Sequence, residues 1–294
     1  MRIEPLSRLD LADIRTLIFA GGGNRCWWQA GAVTQWLEHG WKLPQQLVGT
    51  SGGAAVATAC LTTGAQTALD ACVNLFGSNS RMLDWRGLSR FKLRFAHQHI
   101  YPAWLSAFIN AETFDALRVA PSKLRVAFTR PARRLGLGGS VVAGTLAYLV
   151  DKHLWNRLHP RLPQLLGLRH EFHELQQCTN LADAQNLLVA AAAAPPFLSS
   201  QRITGNHAID GGYLDNVPIP RQTTIERAGT LVLLTRHYPK LPTLFRCNNR
   251  HYWQPSQRIP VSTWDCTPRA TVREAFALGQ QDATHSLSDH TFQL

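Results

Sequence analysis

Three glycine clusters, each following a short apolar run, constrain this chain more than any other feature. They are Gly21-Gly22-Gly23-Asn24-Arg25, Gly49-Thr50-Ser51-Gly52-Gly53 and Asp210-Gly211-Gly212. Residues 16–20 (TLIFA) read as a buried strand entering the first cluster, and residues 46–49 (QLVG) as a strand entering the second. Ala208-Ile209 leads straight into the third. Residues 28–39 are predicted to form a helix, with Ala30, Val33 and Leu37 on one face and Gly40 as its stop. Residues 54–61 read as a helix of small side chains. Strand, glycine loop and helix, repeated, is the opening of a parallel sheet with crossover helices, so the fold class is α/β. Further strands are expected at 124–128 and 231–234, and further helices at 187–194 and 272–283. The stretches 80–121 and 131–180 fit this alternation poorly. They read as cap-like helical insertions in one domain whose core is about 16–64, 122–130 and 185–294.

The second cluster is a G-x-S-x-G sequence. Such a serine sits on a strained strand-to-helix turn that lifts its hydroxyl clear of the backbone. Glycines flank it because a Cβ would clash where strand and helix approach. The motif alone is weak, since about one random chain in ten of this length carries it; all three clusters in order arise by chance in about one chain per thousand. A serine hydroxyl becomes a nucleophile only when a base takes its proton, and its tetrahedral intermediate needs donors aimed at the oxyanion. Asp210 is the candidate base, and the two glycines after it let its carboxylate come close to Ser51. The loop Gly21 to Gly23 offers backbone N–H groups without side chains in the way, and Arg25 adds a positive charge. A nucleotide-phosphate loop is the competing reading of this loop. The G-K-[ST] ending is absent, and Cys26 stands where a dinucleotide fingerprint has its third glycine.

GGGNR, GTSGG and DGG in this order resemble the patatin-like phospholipase family. The resemblance implies a three-layer α/β/α fold with a central, mostly parallel sheet, and a Ser–Asp dyad instead of a triad. It puts the oxyanion loop on Gly21, Gly22, Gly23, Asn24 and Arg25, and the nucleophile on Ser51 within the elbow Gly49, Thr50, Gly52 and Gly53. The dyad carboxylate falls on Asp210, followed by Gly211 and Gly212. Ala194-Pro195-Pro196-Phe197 and Asp215-Asn216-Val217-Pro218 also resemble the flanks of the family's aspartate motif, and the likeness covers about 16–61 and 187–234. It implies hydrolysis of a lipid acyl ester of the phospholipase A or lysophospholipase kind through an acyl-enzyme, with no cofactor and no metal. One departure is Cys26, where the family usually has glycine, followed by Trp27 and Trp28. With no base beside it in the sequence, Cys26 reads as a packing residue.

Other readings use the same residues. An α/β-hydrolase triad of Ser51, Asp210 and His237 has the right chain order, and an acyltransferase would hand the same acyl-enzyme to an acceptor other than water. A non-catalytic reading is a basic protein that binds membrane or nucleic acid. The net charge of +11 resides wholly between Arg81 and Arg169, where fifteen Lys and Arg meet four Asp and Glu. No nucleic-acid motif of the usual kinds is present, so the expected anionic partner is a membrane surface rather than nucleic acid. Trp85, Phe91, Phe95, Tyr101, Trp104, Tyr148, Leu154 and Trp155 interleave with Arg90, Lys92 and Arg94 as expected anchors of a lipid-docking lid.

Nine Trp, twelve Phe and a 45% hydrophobic composition exclude a disordered chain. Residues 1–15 carry charges throughout, and the longest apolar run, 141–150, spans about half a bilayer. A cytoplasmic protein, peripheral at membranes, is the expectation. The six cysteines are scattered, and Cys247 with His251 has no second ligand pair, so free thiols are expected and no zinc.

Overall fold

The computed structural model describes residues 3–84, 94–151 and 157–294. The chain runs β1 (Ile3–Pro5), β2 (Leu9–Asp10), β3 (Thr16–Phe19), α1 (Cys26–Glu38), β4 (Gln46–Thr50), α2 (Ser51–Leu61) and α3 (Ala65–Gly77). It continues through β5 (Leu83–Asp84), β6 (Arg94–Phe95), α4 (His97–Ser106), α5 (Ala111–Val119), β7 (Lys123–Arg130), α6 (Gly136–Val150) and α7 (Leu162–Leu165). Then follow β8 (Arg169–Glu174), α8 (Leu181–Ala191), β9 (Gln201–Ile203), β10 (Asn206–Asp210), α9 (Thr224–Ala228) and β11 (Thr230–Leu233). The last elements are β12 (Leu244–Cys247), β13 (Arg250–Trp253), α10 (Val272–Ser288) and β14 (Phe292–Gln293).

The central sheet has the order β1-β12-β13-β11-β3-β4-β7-β10-β9, with β8 also paired to β7. From β13 to β7 all neighbours are parallel, and antiparallel strands close both edges. Strand alternation sends Leu17, Phe19, Leu47, Leu231 and Leu233 into the larger core, while Ile18, Ala20, Val48, Val232 and Leu234 point to the other face. Apolar runs covered on both faces are what parallel strands require. The larger core is filled by α1, α2, α3, α8 and α10. The smaller is closed by Leu158 and Val217, with Phe245, Cys247 and Tyr252 from the β12–β13 hairpin. This is the α/β fold with a mostly parallel sheet flanked by helices that the glycine-ended strands predict.

The structure differs from the sequence reading in the two stretches expected as caps. β8, within 131–180, joins the central sheet and pairs with β7 along Arg125 to Arg130. Its sequence, RHEFHE, lacks the apolar alternation that marks a strand. Helices α4 and α5 and the turn between them, within 80–121, place Ile100, Trp104, Leu105, Phe108, Phe114 and Leu117 in the main core. Trp104 packs on Trp27 and Phe108 and donates Nε1–H to the Ala68 carbonyl at 2.8 Å. It and Tyr101, which packs partly buried against that core, serve as core residues rather than as lipid anchors. Trp85, Arg90, Phe91, Lys92, Leu154 and Trp155 lie outside the described residues. No helix among the described residues is long and apolar enough to cross a membrane.

Candidate active site

Ser51 and Asp210 are 159 positions apart in sequence and meet because two strands run toward each other along one edge of β7. β4 is parallel to β7 and ends with Thr50 opposite Ala127. β10 is antiparallel and ends with Asp210 opposite Phe128, the next residue along. β8 occupies the other edge. The two chain ends are then tied to β7: Thr50 Oγ1 donates to the Ala127 carbonyl at 2.7 Å, and Thr129 Oγ1 to the Gly211 carbonyl at 3.1 Å. His170 of β8 also donates to the Gly211 carbonyl, at 3.0 Å.

Between β4 and α2 the chain turns on Ser51 itself, whose φ is +52°. A side-chain-bearing residue in this left-handed region is strained, and such strain clusters at functional sites. The flanking glycines follow from close approach. A Cβ on Gly53 would stand 2.6 and 2.7 Å from the Ala20 and Phe19 carbonyl oxygens, and one on Gly49 would stand 2.7 Å from Ala54 Cα. A Cβ on Gly52 would meet the Gly23 carbonyl oxygen at 2.8 Å and Cys26 Sγ at 3.1 Å. The bulk that Cys26 brings is therefore taken up opposite Gly52. Cys26 has helical backbone angles as the first residue of α1, so no glycine is required there. Burial pushes its thiol above the usual range.

The Ser51 hydroxyl donates to Asp210 Oδ2 at 2.6 Å, and Asp210 Oδ1 accepts from the Gly212 N–H at 2.7 Å. Both residues are nearly sealed, with 6% and 5% of their surfaces exposed. Burial raises the Asp210 pKa to about 6, against the opposing pull of the Ser51 and Gly212 hydrogen bonds. A carboxylate at that value is a better base than a solvated one and is still ionised at neutral pH.

The glycine loop lies beside this pair. Gly21 N–H donates to the Asn216 carbonyl at 2.7 Å, Asn24 N–H to Thr263 at 3.1 Å, and Arg25 N–H to Gly22 at 3.2 Å. The N–H groups of Gly22 and Gly23 have no such partner among the described residues. The Gly52 N–H, in the first turn of α2, is an orphan by helix geometry. Gly21 and Asn24 therefore anchor the loop, and Asn24 Nδ2 adds bonds to the Ser262 and Asp265 carbonyls at 3.0 and 2.5 Å. Arg25 Nε turns back on the Gly22 carbonyl at 3.3 Å. Thr235, which the sequence reading passed over, donates to the Gly21 carbonyl at 2.6 Å. Its signal was position: it follows β11, whose C-terminal end points to the same side of the sheet as those of β3 and β4.

His237 is not brought to this pair. Its Nδ1 bonds the Pro255 carbonyl at 2.9 Å, and both Asp210 oxygens already have other partners. No group of three or more His, Cys, Asp and Glu is gathered to hold a metal among the described residues.

Two cavities open from Ser51. A wide cleft of about 620 Å³ holds Ser51, Asp210, Gly22, Gly23 and Arg25 on its floor, with α6 and the Pro195–Phe197 turn as walls. A narrow pocket of about 70 Å³ is lined by Ser51 together with Trp27, Val56, Phe76, Ile100 and Trp104. His97 stands at its rim against Phe197 and Trp264, and burial lowers its pKa to about 4, so it is neutral at physiological pH.

The sequence model of the family described as Patatin-like phospholipase matches residues 17–221. This chain belongs to that family, a family of lipid acyl hydrolases. Among solved structures, the crystal structure of VipD from Legionella pneumophila is similar over 95% of this chain and 67% of that one, at 12% identity and a TM-score of 0.47. No curated protein matches the sequence.

Proposed function

We propose that the protein hydrolyses lipid acyl esters with Ser51 as nucleophile and Asp210 as its base. The observation that carries this reading is the 2.6 Å hydrogen bond from the strained elbow serine to a buried aspartate on the floor of an open cleft. Asp210 Oδ2 accepts the hydroxyl proton as Ser51 Oγ attacks the ester carbonyl carbon. The carbonyl oxygen becomes an oxyanion, and the N–H groups of Gly22, Gly23 and Gly52 are the donors positioned to receive it. When the tetrahedral intermediate collapses, the C–O bond to the alcohol breaks. The leaving oxygen takes the proton held by Asp210, and the acyl group remains on Ser51. Water then attacks the acyl-enzyme, giving its proton to Asp210, and the second collapse releases the carboxylic acid as Ser51 recovers its hydrogen.

The apolar narrow pocket suits an acyl chain and the wide cleft the alcohol portion of a lipid. In this account 1–294 acts as one catalytic domain that needs no metal or cofactor. The test is turnover of a soluble chromogenic ester: Ser51→Ala and Asp210→Asn, each folded, should lose it. Near-wild-type turnover in either variant would remove that residue from the chemistry.

A further inference from the structure

Helix α6 has its sides reversed. A surface helix ordinarily turns its large apolar residues inward and its polar ones outward. In α6 the buried stripe is Ser140, Gly144 and Ala147, small residues that allow close packing on Tyr213 and Leu168. The outward stripe, at the same helical spacing, is Val142, Leu146 and Leu149, which are 60%, 58% and 41% exposed. The helix carries no charged residue in its 15 positions. Beside it, α7 and its following residue present Leu165, 80% exposed, and Leu166. This face therefore gathers more large exposed aliphatic side chains than any other described part of the chain.

The exposed charge of the segment that carries the patch has one sign. Between Pro131 and Arg169 the only acidic residue is Asp151, which is buried and paired with Arg157. Arg133 and Arg134 are exposed just before α6, and Arg161 is exposed at the start of α7. The same helix walls the cleft: Val142, Leu146 and Leu149 line it together with Ser51 and Asp210.

We infer that the α6–α7 face docks the protein on an anionic lipid surface and so places the mouth of the cleft against the bilayer. Aliphatic side chains with arginines at their margin, and no exposed acid in the segment, match a membrane in which acyl chains lie beneath anionic headgroups. The inference deepens the lipid-hydrolase reading and rests on it for the role of the cleft beneath the helix. It replaces Tyr101 and Trp104, which lie in or against the core, as the source of apolar contact.

Co-sedimentation of the full chain with vesicles tests it, using Ser51→Ala so that no lipid is consumed. Binding should be strong to phosphatidylcholine mixed with phosphatidylglycerol, weak to phosphatidylcholine alone, and should fall with salt. Leu165→Asp should weaken it at least about tenfold, and Arg133→Gln or Arg134→Gln about fivefold each. None of these three side chains lines the cleft, so hydrolysis of a soluble ester should be unchanged in the same substitutions made with Ser51 intact. Equal binding to both vesicles, binding to neither, or full binding by Leu165→Asp would overturn the docking surface. So would self-association that Leu165→Asp abolishes, which would assign the patch to a second copy. The two proposals fail separately, because vesicle binding does not need the dyad and soluble-ester turnover does not need the vesicle.

Discussion

Gly49, Gly53 and Gly211 surround Ser51 and Asp210, while Gly136 and Gly138 begin the helix across the cleft. At the first three, a Cβ would collide with Ala54, with the Phe19 and Ala20 carbonyls, or with Thr50. At Gly136 and Gly138 it would meet nothing within 4 Å. The same residue type thus serves opposite ends. Around Ser51 it lets backbones touch, so that a strained serine, a buried aspartate and a loop of N–H donors hold one geometry. At the start of α6 it stands in open space, on a helix whose outer face is apolar. The backbone around Ser51 is closely packed, and the start of the wall across the cleft is open.

The largest expected effect is on the floor. Asp210→Asn removes the proposed base and should lower turnover by about 10²–10⁴-fold. Its stability should change the other way. Burial raises the Asp210 pKa from 3.8 to about 6. The folded state therefore holds the Asp210 proton more tightly than the unfolded state does. The stability this gives wild type is fully present below about pH 4 and is lost as pH rises through about 6. Asn at this position should then be on the order of 1–3 kcal/mol more stable than wild type at pH 8, with the advantage gone near pH 4. Thermal melts at both values check this, and a wild type more stable at pH 8 would contradict the burial argument.

Next comes Gly53→Ala, which should cost about 1–3 kcal/mol by pushing α2 off the end of β3 and should lower activity with it. Denaturant unfolding beside an ester assay measures both. Ser51→Gly relieves the positive φ and should stabilise by about 1 kcal/mol while abolishing turnover. The smallest effect is expected across the cleft, where Gly138→Ala should stabilise by about 0.5–1 kcal/mol and leave soluble-ester turnover unchanged. If Gly138→Ala destabilised as much as Gly53→Ala, the contrast between the two regions would collapse.

The sequence made the floor legible because close approach leaves glycines behind. The clusters mark close approaches at three strand ends, and the pairing of Ser51 with Asp210 follows from their order together with the resemblance to the patatin-like family. The supporting bonds were harder to see. Thr235 and His170 hold the loop and the aspartate turn through single hydrogen bonds to carbonyls, and nothing in their local sequence announces it. β8 was hidden because its half-buried residues are polar: Arg130 pairs with Glu171, and His173 with the same carboxylate. The aromatic residues of α4 gave a misleading signal. Trp104, in a segment with an excess of Lys and Arg, looks like a membrane anchor until the fold puts it beside Trp27. The apolar run 141–150 is too short to read as a membrane span, and which way the helix turns its Val and Leu is not legible in the sequence.

The most direct test of the dyad is the site and pH dependence of labelling by a fluorophosphonate, followed by peptide mapping. An activated serine attacks phosphorus and remains covalently bonded to it. Labelling should map to Ser51, should fall as pH drops through about 6 with protonation of Asp210, and should be lost in folded Asp210→Asn. A label on another residue, or undiminished labelling of Ser51 in Asp210→Asn, would contradict the account.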